Sequence, residues 1–229
     1  GGGGDGVKGF CDIVTGATSG IGERVAKLLL ARGSGLVAVA RDAGRLEAMY
    51  GLDKSVDTVA LDLSDAGAAS ALAGKIGLPV RYFVHCAGFA VPAPLGFIDG
   101  ADALRMYSAH ALFPMLFLGW MARRANHADG AAAVLVSSRS AREADRGNAA
   151  YAAAKGAVEG LFHTAASELA VRGVALKLIA PGPVDTRMAR ETWMRNATDG
   201  EVAKMLADGE LATPEKVAGD ILELLEGGR

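Results

Sequence analysis

The sequence predicts one α/β domain built on a doubly wound parallel sheet, and three observations carry that expectation. Short apolar runs alternate with longer segments of helical period, the pattern of a parallel sheet covered by helices on both faces. The 229 residues are 51% hydrophobic and 22% charged, enough apolar material for one sizeable core, and α/β folds of up to about 250 residues often form a single unit. No internal repeat and no linker-like low-complexity stretch interrupts the chain after its first residues.

Strands are expected near Cys11–Thr15, Leu36–Ala40, Thr58–Leu61, Tyr82–Cys86, Ala132–Ser137 and Ala175–Ile179. Between the first two, Ile21, Val25, Leu28 and Leu29 share one helix face, which Gly33 terminates. Two long helices are expected over about 100–126 and 149–171. A last helix starts at Thr213-Pro214-Glu215, where Thr213 is a good N-cap and Pro214 suits the first helical position. Residues 1–7, opening with four glycines, read as a flexible tail and 8–229 as the domain; residues 186–211, the least regular segment, read as a lid over the carboxyl ends of the strands.

Charge excludes some partners. Lys plus Arg number 24 against 26 Asp plus Glu, and no basic run interleaves with aromatics, so nucleic acid and membrane surfaces have no electrostatic support. The most apolar stretch, Ala111 to Ala122, contains Pro114 and is short of the ~18–20 residues that span a bilayer. With no secretion signal and two cysteines, a cytoplasmic protein with a small-molecule partner is the economical reading. Cys11 and Cys86 fall at opposite ends of neighbouring strands, too far apart for a disulfide. His127 and His163 are expected on helix surfaces, and no metal-ligand spacing appears, so no metal is expected.

Thr15-Gly16-Ala17-Thr18-Ser19-Gly20-Ile21-Gly22 lies where a first strand turns into a first helix. Glycines there permit a tight turn and close approach of backbone to a pyrophosphate, whose charge a helix N-terminus attracts. This is the cofactor end of a Rossmann-type sheet, with strand order 3-2-1-4-5-6. Gly16, Thr18, Ser19, Gly20, Ile21 and Gly22 are its candidate contacts. The second strand ends Ala38-Val39-Ala40-Arg41, with no carboxylate at the ribose position. Arg41 can bond a 2′-phosphate, so NADP (NADPH) is preferred. Two alternatives stay open: Arg41 as a solvated strand end, and Asp42 as an acceptor that keeps NAD possible.

Reducing a ketone requires a hydride to carbon and a proton to oxygen. Tyr151 and Lys155, four apart on a helix, project from one face; the tyrosine can give the proton, and a cation beside it lowers its ordinary pKa of about 10. The spacing Thr-Gly-x-x-x-Gly-x-Gly, Leu61-Asp62-Leu63, Ala87-Gly88, Tyr151-x-x-x-Lys155 and Pro181-Gly182-Pro183-Val184-Asp185-Thr186 occur in the order that resembles the short-chain dehydrogenase/reductase family, over about residues 8 to 225. The resemblance implies that Ser138, thirteen residues before Tyr151, bonds the substrate oxygen, with Ser137 the adjacent alternative. It further implies cofactor contacts at Asp62, Leu63, Ala87, Gly88, Tyr151, Lys155, Pro181, Gly182, Val184 and Thr186. Asp62 would contact the adenine, while Val184 and Thr186 would hold the nicotinamide end.

Two departures matter. His85-Cys86-Ala87-Gly88 stands where the family has Asn-Asn-Ala-Gly, implying altered hydrogen bonding between sheet and loop. His110 stands where the family has a proton-relay asparagine and is a candidate catalytic residue; Pro114, lacking an N–H, would leave the His110 carbonyl free to hold a relay water. A packed polar role for His110 is the alternative. The implied activity is reversible reduction of a carbonyl to a secondary alcohol. Competing readings are a cofactor-binding sensor or scaffold with weak turnover, and an epimerase or dehydratase using the same site. The charged loop Arg139, Arg142, Glu143, Asp145 and Arg146, with Trp193 and Met188 in the lid, leaves substrate identity open. The chain stops at Gly227-Gly228-Arg229 after the final helix, so the family's seventh strand is expected to be missing, and a homodimer is expected through Leu112, Met115, Leu116, Leu118, Trp120, Leu161 and Phe162.

Overall fold

The computed structural model describes residues 9–143 and 145–227; the tail expected over residues 1–7 lies outside them. The elements run β1 (Cys11–Thr15), α1 (Gly20–Ala31), β2 (Leu36–Ala40), α2 (Ala43–Tyr50), β3 (Val56–Ala60), α3 (Ala68–Ala73), β4 (Val80–His85), α4 (Gly100–Tyr107), α5 (Phe113–Met121), β5 (His127–Val136), α6 (Ala149–Ala170), β6 (Val174–Ile179), α7 (Arg187–Glu191), α8 (Asp199–Ala207) and α9 (Pro214–Glu226). All six strands pair in parallel, in the expected order β3-β2-β1-β4-β5-β6.

Every residue of β1 and β2 is buried, as central strands with helices on both faces must be. Successive side chains alternate between faces: Ile13, Phe83 and Leu135 pack with Phe117 of α5 and Val158 of α6, whereas Val14, Val84 and Val134 pack with Leu29 of α1 and Ile221 of α9. Asp12, on β1, is wholly buried. Arg81 answers it with two hydrogen bonds, Nε to Oδ1 at 2.9 Å and a second nitrogen to Oδ2, and also donates to Ser34 Oγ at 2.9 Å. Its guanidinium lies 4.4 Å from the Phe10 ring centroid and 4.5 Å from that of Tyr82.

Three local expectations are corrected. The helix expected over 100–126 is broken: α4 and α5 are separated by a π-helical turn, Ser108–Leu112, in which the Phe113 N–H bonds the Ser108 carbonyl, and α5 ends at Met121. Pro114 has no N–H to continue an α-helical ladder, so the turn widens just before it. His127, expected on a helix surface, opens β5 and is buried because its strand pairs with Val80 of β4. Leu28, expected on the buried face of α1, is exposed, while Val25, Ala26 and Leu29 form the stripe. The segment 186–211 is more regular than expected. Its helices α7 and α8 share a small core of Ala189, Met194, Val202 and Leu211, and Thr198 with Glu201 forms a capping box at α8. Among the described residues no helix is long and apolar enough to cross a membrane.

Candidate active site

The carboxyl ends of β4, β5 and β6 open onto a cleft of about 420 Å³ that Ile21 of α1 also borders, within the size range of small-molecule sites. Ile21, Gly88, His110, Ser138, Tyr151, Lys155, Pro181, Gly182, Val184 and Thr186 all line it, as do Cys86, Asn148 and Trp193. Gly16, Thr18, Ser19, Gly20 and Gly22 build the adjoining turn rather than the wall of this cleft, Ala87 packs against that turn, Arg41 and Asp62 lie outside the cleft, and the Leu63 side chain belongs to the core.

The turn into α1 is closely packed backbone. Gly16 has φ +71°, and a Cβ there would come 3.0 Å from Ala87; a Cβ on Gly22 would come 2.4 Å from the Gly16 carbonyl oxygen. Ser19, the N-cap of α1, makes no side-chain cap bond. The first-turn amides therefore keep their dipole end unshielded, as a pyrophosphate would need. Asp62 accepts from Ser64 N at 2.9 Å and Ser64 Oγ at 2.7 Å, which fixes its carboxylate in a turn. Arg41 lies 5.7 Å over the Phe89 ring centroid. Asp42 is committed elsewhere: its carboxylate caps α2 by accepting from Arg45 N at 2.9 Å.

Tyr151 and Lys155 face the cleft from one side of α6, as their spacing requires. Lys155 is buried and donates to the Val136 carbonyl at 2.7 Å, its Nζ 5.7 Å from the Tyr151 ring centroid. Desolvation lowers the Lys155 ammonium to about 8. Tyr151 departs from expectation: burial raises its pKa, and the opposing pull comes from a hydrogen bond with Ser138 rather than from the lysine, whose ammonium is turned to the strand. Ser138 and Ser137 have separate tasks. Ser138 Oγ accepts from Ser140 N at 3.2 Å, leaving its proton for the cleft, whereas Ser137 is buried and donates to Glu159 Oε1 at 3.1 Å.

Both histidines of the departures are buried. His85 Nε2 lies 3.0 Å from the Ala109 carbonyl, which only accepts, so Nε2 carries the proton; Thr15 Oγ1 then donates to Nδ1 at 2.9 Å and itself accepts from Ala87 N at 3.2 Å. Burial drives the His85 pKa down to about 3, so the ring is neutral. The His110 carbonyl, to which Pro114 can donate no hydrogen bond, lies beside that of Ala109 near the His85 ring. His110 itself packs edge-on to Tyr151, with centroids 5.5 Å apart and planes at 84°. Its Nε2 meets the Phe89 backbone, 2.8 Å from the carbonyl oxygen and 3.2 Å from the amide, while Nδ1 has no partner among the described residues. Burial, and then the Lys155 charge, hold His110 well below the usual imidazole pKa. It is neutral across the working range rather than titrating near 6.5. Desolvation pushes the half-buried Cys86 thiol up to about 12, and it stays a thiol.

Long-range partners such as Thr15 for His85 had no signal in the sequence. Glu159 did have one, because it falls one helical turn beyond Lys155 on the same face.

A sequence profile of the short chain dehydrogenases matches residues 11–197. The chain is similar to L-xylulose reductase of Bos taurus, 31% identical over 220 residues that cover 93% of this chain and 87% of the relative. A solved short chain dehydrogenase/reductase family protein superposes with a TM-score of 0.82 at 28% identity, covering 96% of this chain and 90% of that one. A structure described as an NAD(P)-dependent gluconate 5-dehydrogenase from Beutenbergia cavernae, with NADP bound at low occupancy, superposes with a TM-score of 0.76 at 28% identity, covering 95% and 90%. The matched profile spans the glycine turn, Ser138, Tyr151 and Lys155 in one continuous alignment, and this chain belongs to the short chain dehydrogenase family of oxidoreductases.

Proposed function

We propose that the protein is an NADPH-preferring carbonyl reductase that converts a ketone reversibly to a secondary alcohol, with Tyr151, Ser138 and Lys155 as its catalytic residues. The observation that carries this reading is the convergence of all three on one cleft, with the ammonium buried and the phenol half-buried. When bound, the nicotinamide supplies the hydride. Tyr151 gives its proton to the carbonyl oxygen, and a neutral phenol, which burial favours, is the form that does so. Ser138 donates a hydrogen bond to the same oxygen, where charge develops. Lys155 would orient the ribose, and its positive charge offsets the negative charge left on the phenol oxygen once the proton has gone to the substrate. His110, neutral and edge-on to Tyr151, shapes that side of the site.

Cofactor preference follows from two neighbours. Asp42 is spent as a helix cap, whereas Arg41 presents a guanidinium to solvent beside Phe89, suited to a 2′-phosphate. The similarity to a ketose reductase makes small hydroxylated ketones the first substrates to try. Helices α7 and α8 act as the lid, and a reducing cytoplasm suits the two free cysteines. A homodimer through the long helices is supported by exposed Leu104, Tyr107, Met115 and Leu116. The face is narrower than expected, because Leu118 is core.

Following NADPH oxidation with a panel of ketoses, simple ketones, aldehydes and acyl thioesters tests the proposal. Tyr151→Phe should lower turnover by ~10²–10⁴-fold with cofactor affinity retained. Tight cofactor binding without turnover on any member would instead favour a sensor or scaffold, and substrate interconversion without net oxidation an epimerase.

A further inference from the structure

Among the described residues outside the cleft, one charged group is both buried and directed at the machinery. Glu159, on α6, is 9% exposed. Its Oε1 accepts from Ser137 Oγ at 3.1 Å and its Oε2 from Arg142 Nε at 2.8 Å. Ser137 Oγ also lies 3.4 Å from the Lys155 carbonyl, so the hydroxyl sits against the turn of α6 that separates Lys155 from Glu159. Ser137 N donates to the Ile179 carbonyl at 2.8 Å, and Arg139 N to the Pro181 carbonyl at 3.0 Å. Ser138 is thus bracketed: backbone bonds to β6 and its following loop hold it from one side, and Glu159 holds its neighbour from the other. Arg142 ends the short turn that begins at Ser138, with its N–H on the Arg139 carbonyl at 2.9 Å. Its guanidinium closes the bracket on α6.

A buried carboxylate is costly unless paired and hydrogen-bonded, and a surface residue with the same charge would serve solubility as well. Here the helix that carries Tyr151 and Lys155 is tied by the same carboxylate to the strand end that carries Ser138. The distance between hydroxyl and phenol therefore depends on a contact 21 residues downstream of Ser138. Displacements near 1 Å at such a site cost up to about 10² in rate.

We propose that Glu159, with Arg142, is a positioning residue pair that clamps Ser137 to α6 and thereby sets Ser138 against Tyr151; the inference rests on the carbonyl-reductase reading above. Ser137, left open as an alternative substrate contact, is the strand-side anchor of the clamp.

The test compares Glu159→Ala, Glu159→Gln and Arg142→Ala in wild-type and Ser138→Ala backgrounds, with NADPH and whichever ketone of the panel is reduced. Glu159→Ala should lower kcat roughly tenfold, with KM and the NADPH dissociation constant within about twofold. Glu159→Gln, whose amide oxygen still accepts, should recover most of that loss. In the Ser138→Ala background Glu159→Ala should change kcat by less than about twofold, because the residue through which it acts is gone. An equal loss in both backgrounds, or a lowered melting temperature with kcat unchanged, would overturn the clamp. Arg142, whose side chain is 63% exposed, supplies a variant that folds if Glu159→Ala does not. Should the wild type reduce no carbonyl, the functional reading fails. The clamp is then decided by amide hydrogen exchange, which must quicken over residues 138–142 in Arg142→Ala and Glu159→Gln/Arg142→Ala if it exists and stay unchanged if it does not.

Discussion

Gly88→Ala is a single-methyl perturbation whose cost the structure sets. The new Cβ would lie 2.0 Å from His110 Cε1, 2.5 Å from Nδ1 and 2.8 Å from Nε2, where ordinary contact begins at 3.4 Å. Gly88 has no positive φ, so alanine is acceptable to the backbone and the penalty is steric. The ring must retreat by more than 1 Å, yet it is 1% exposed, bonded at Nε2 to Phe89 and set edge-on to Tyr151. Overpacking of this kind costs about 1–3 kcal/mol, and the displaced ring presses on the proposed proton donor. Urea unfolding followed by fluorescence should show that destabilisation for Gly88→Ala. In a His110→Ala background, where the obstructing ring is absent, the same substitution should cost less than about 0.5 kcal/mol, a coupling that only direct contact produces. An equal cost in both backgrounds would refute the assigned packing, and full tolerance of Gly88→Ala would show that the imidazole is free to swing aside.

Arg41→Ala should weaken NADPH binding roughly tenfold, as loss of a charge-assisted bond implies, while leaving NADH within about twofold; equal losses in titration calorimetry would return Arg41 to a strand-end role. Lys155 stands at about 8 in the fold against an ordinary 10.5, so the unfolded chain binds more protons between those pH values and the cost of burying the lysine is full below pH 8 and relieved as pH rises to 10.5. That cost is roughly 3 kcal/mol. The stability gained by Lys155→Met over wild type should therefore be about 2 kcal/mol larger at pH 7 than at pH 10, and a pH-independent difference would mean the ammonium is hydrated. Asp12→Ala leaves Arg81 without its buried partner and should cost about 3 kcal/mol in urea unfolding; a loss under 1 kcal/mol would place the pair among ordinary surface bridges.

Local chemistry encodes a large part of this fold. The apolar runs, the glycine turn, Thr213 at the start of α9 and the spacing from Ser138 to Lys155 all depend on neighbours within about a turn or a strand, and each lies where it was expected. Boundaries shifted where pairing decided them: β5 starts at His127 because Val80 pairs with it, although Ala-Asn-His-Ala-Asp-Gly carries no strand period. Packing between distant segments sets the rest. His85 finds Thr15 seventy residues away, and His110 meets Phe89 across twenty-one. Ser137 and Ser138 both line the cleft, and which hydroxyl is committed elsewhere depends on where Glu159 lies across α6. The protonation states follow the same division, since residue type sets the ordinary pKa but desolvation by the assembled core makes both histidines neutral and lowers Lys155. Periodicity and turn chemistry are properties of a few consecutive residues, whereas burial and long-range hydrogen bonds exist only once distant segments have packed.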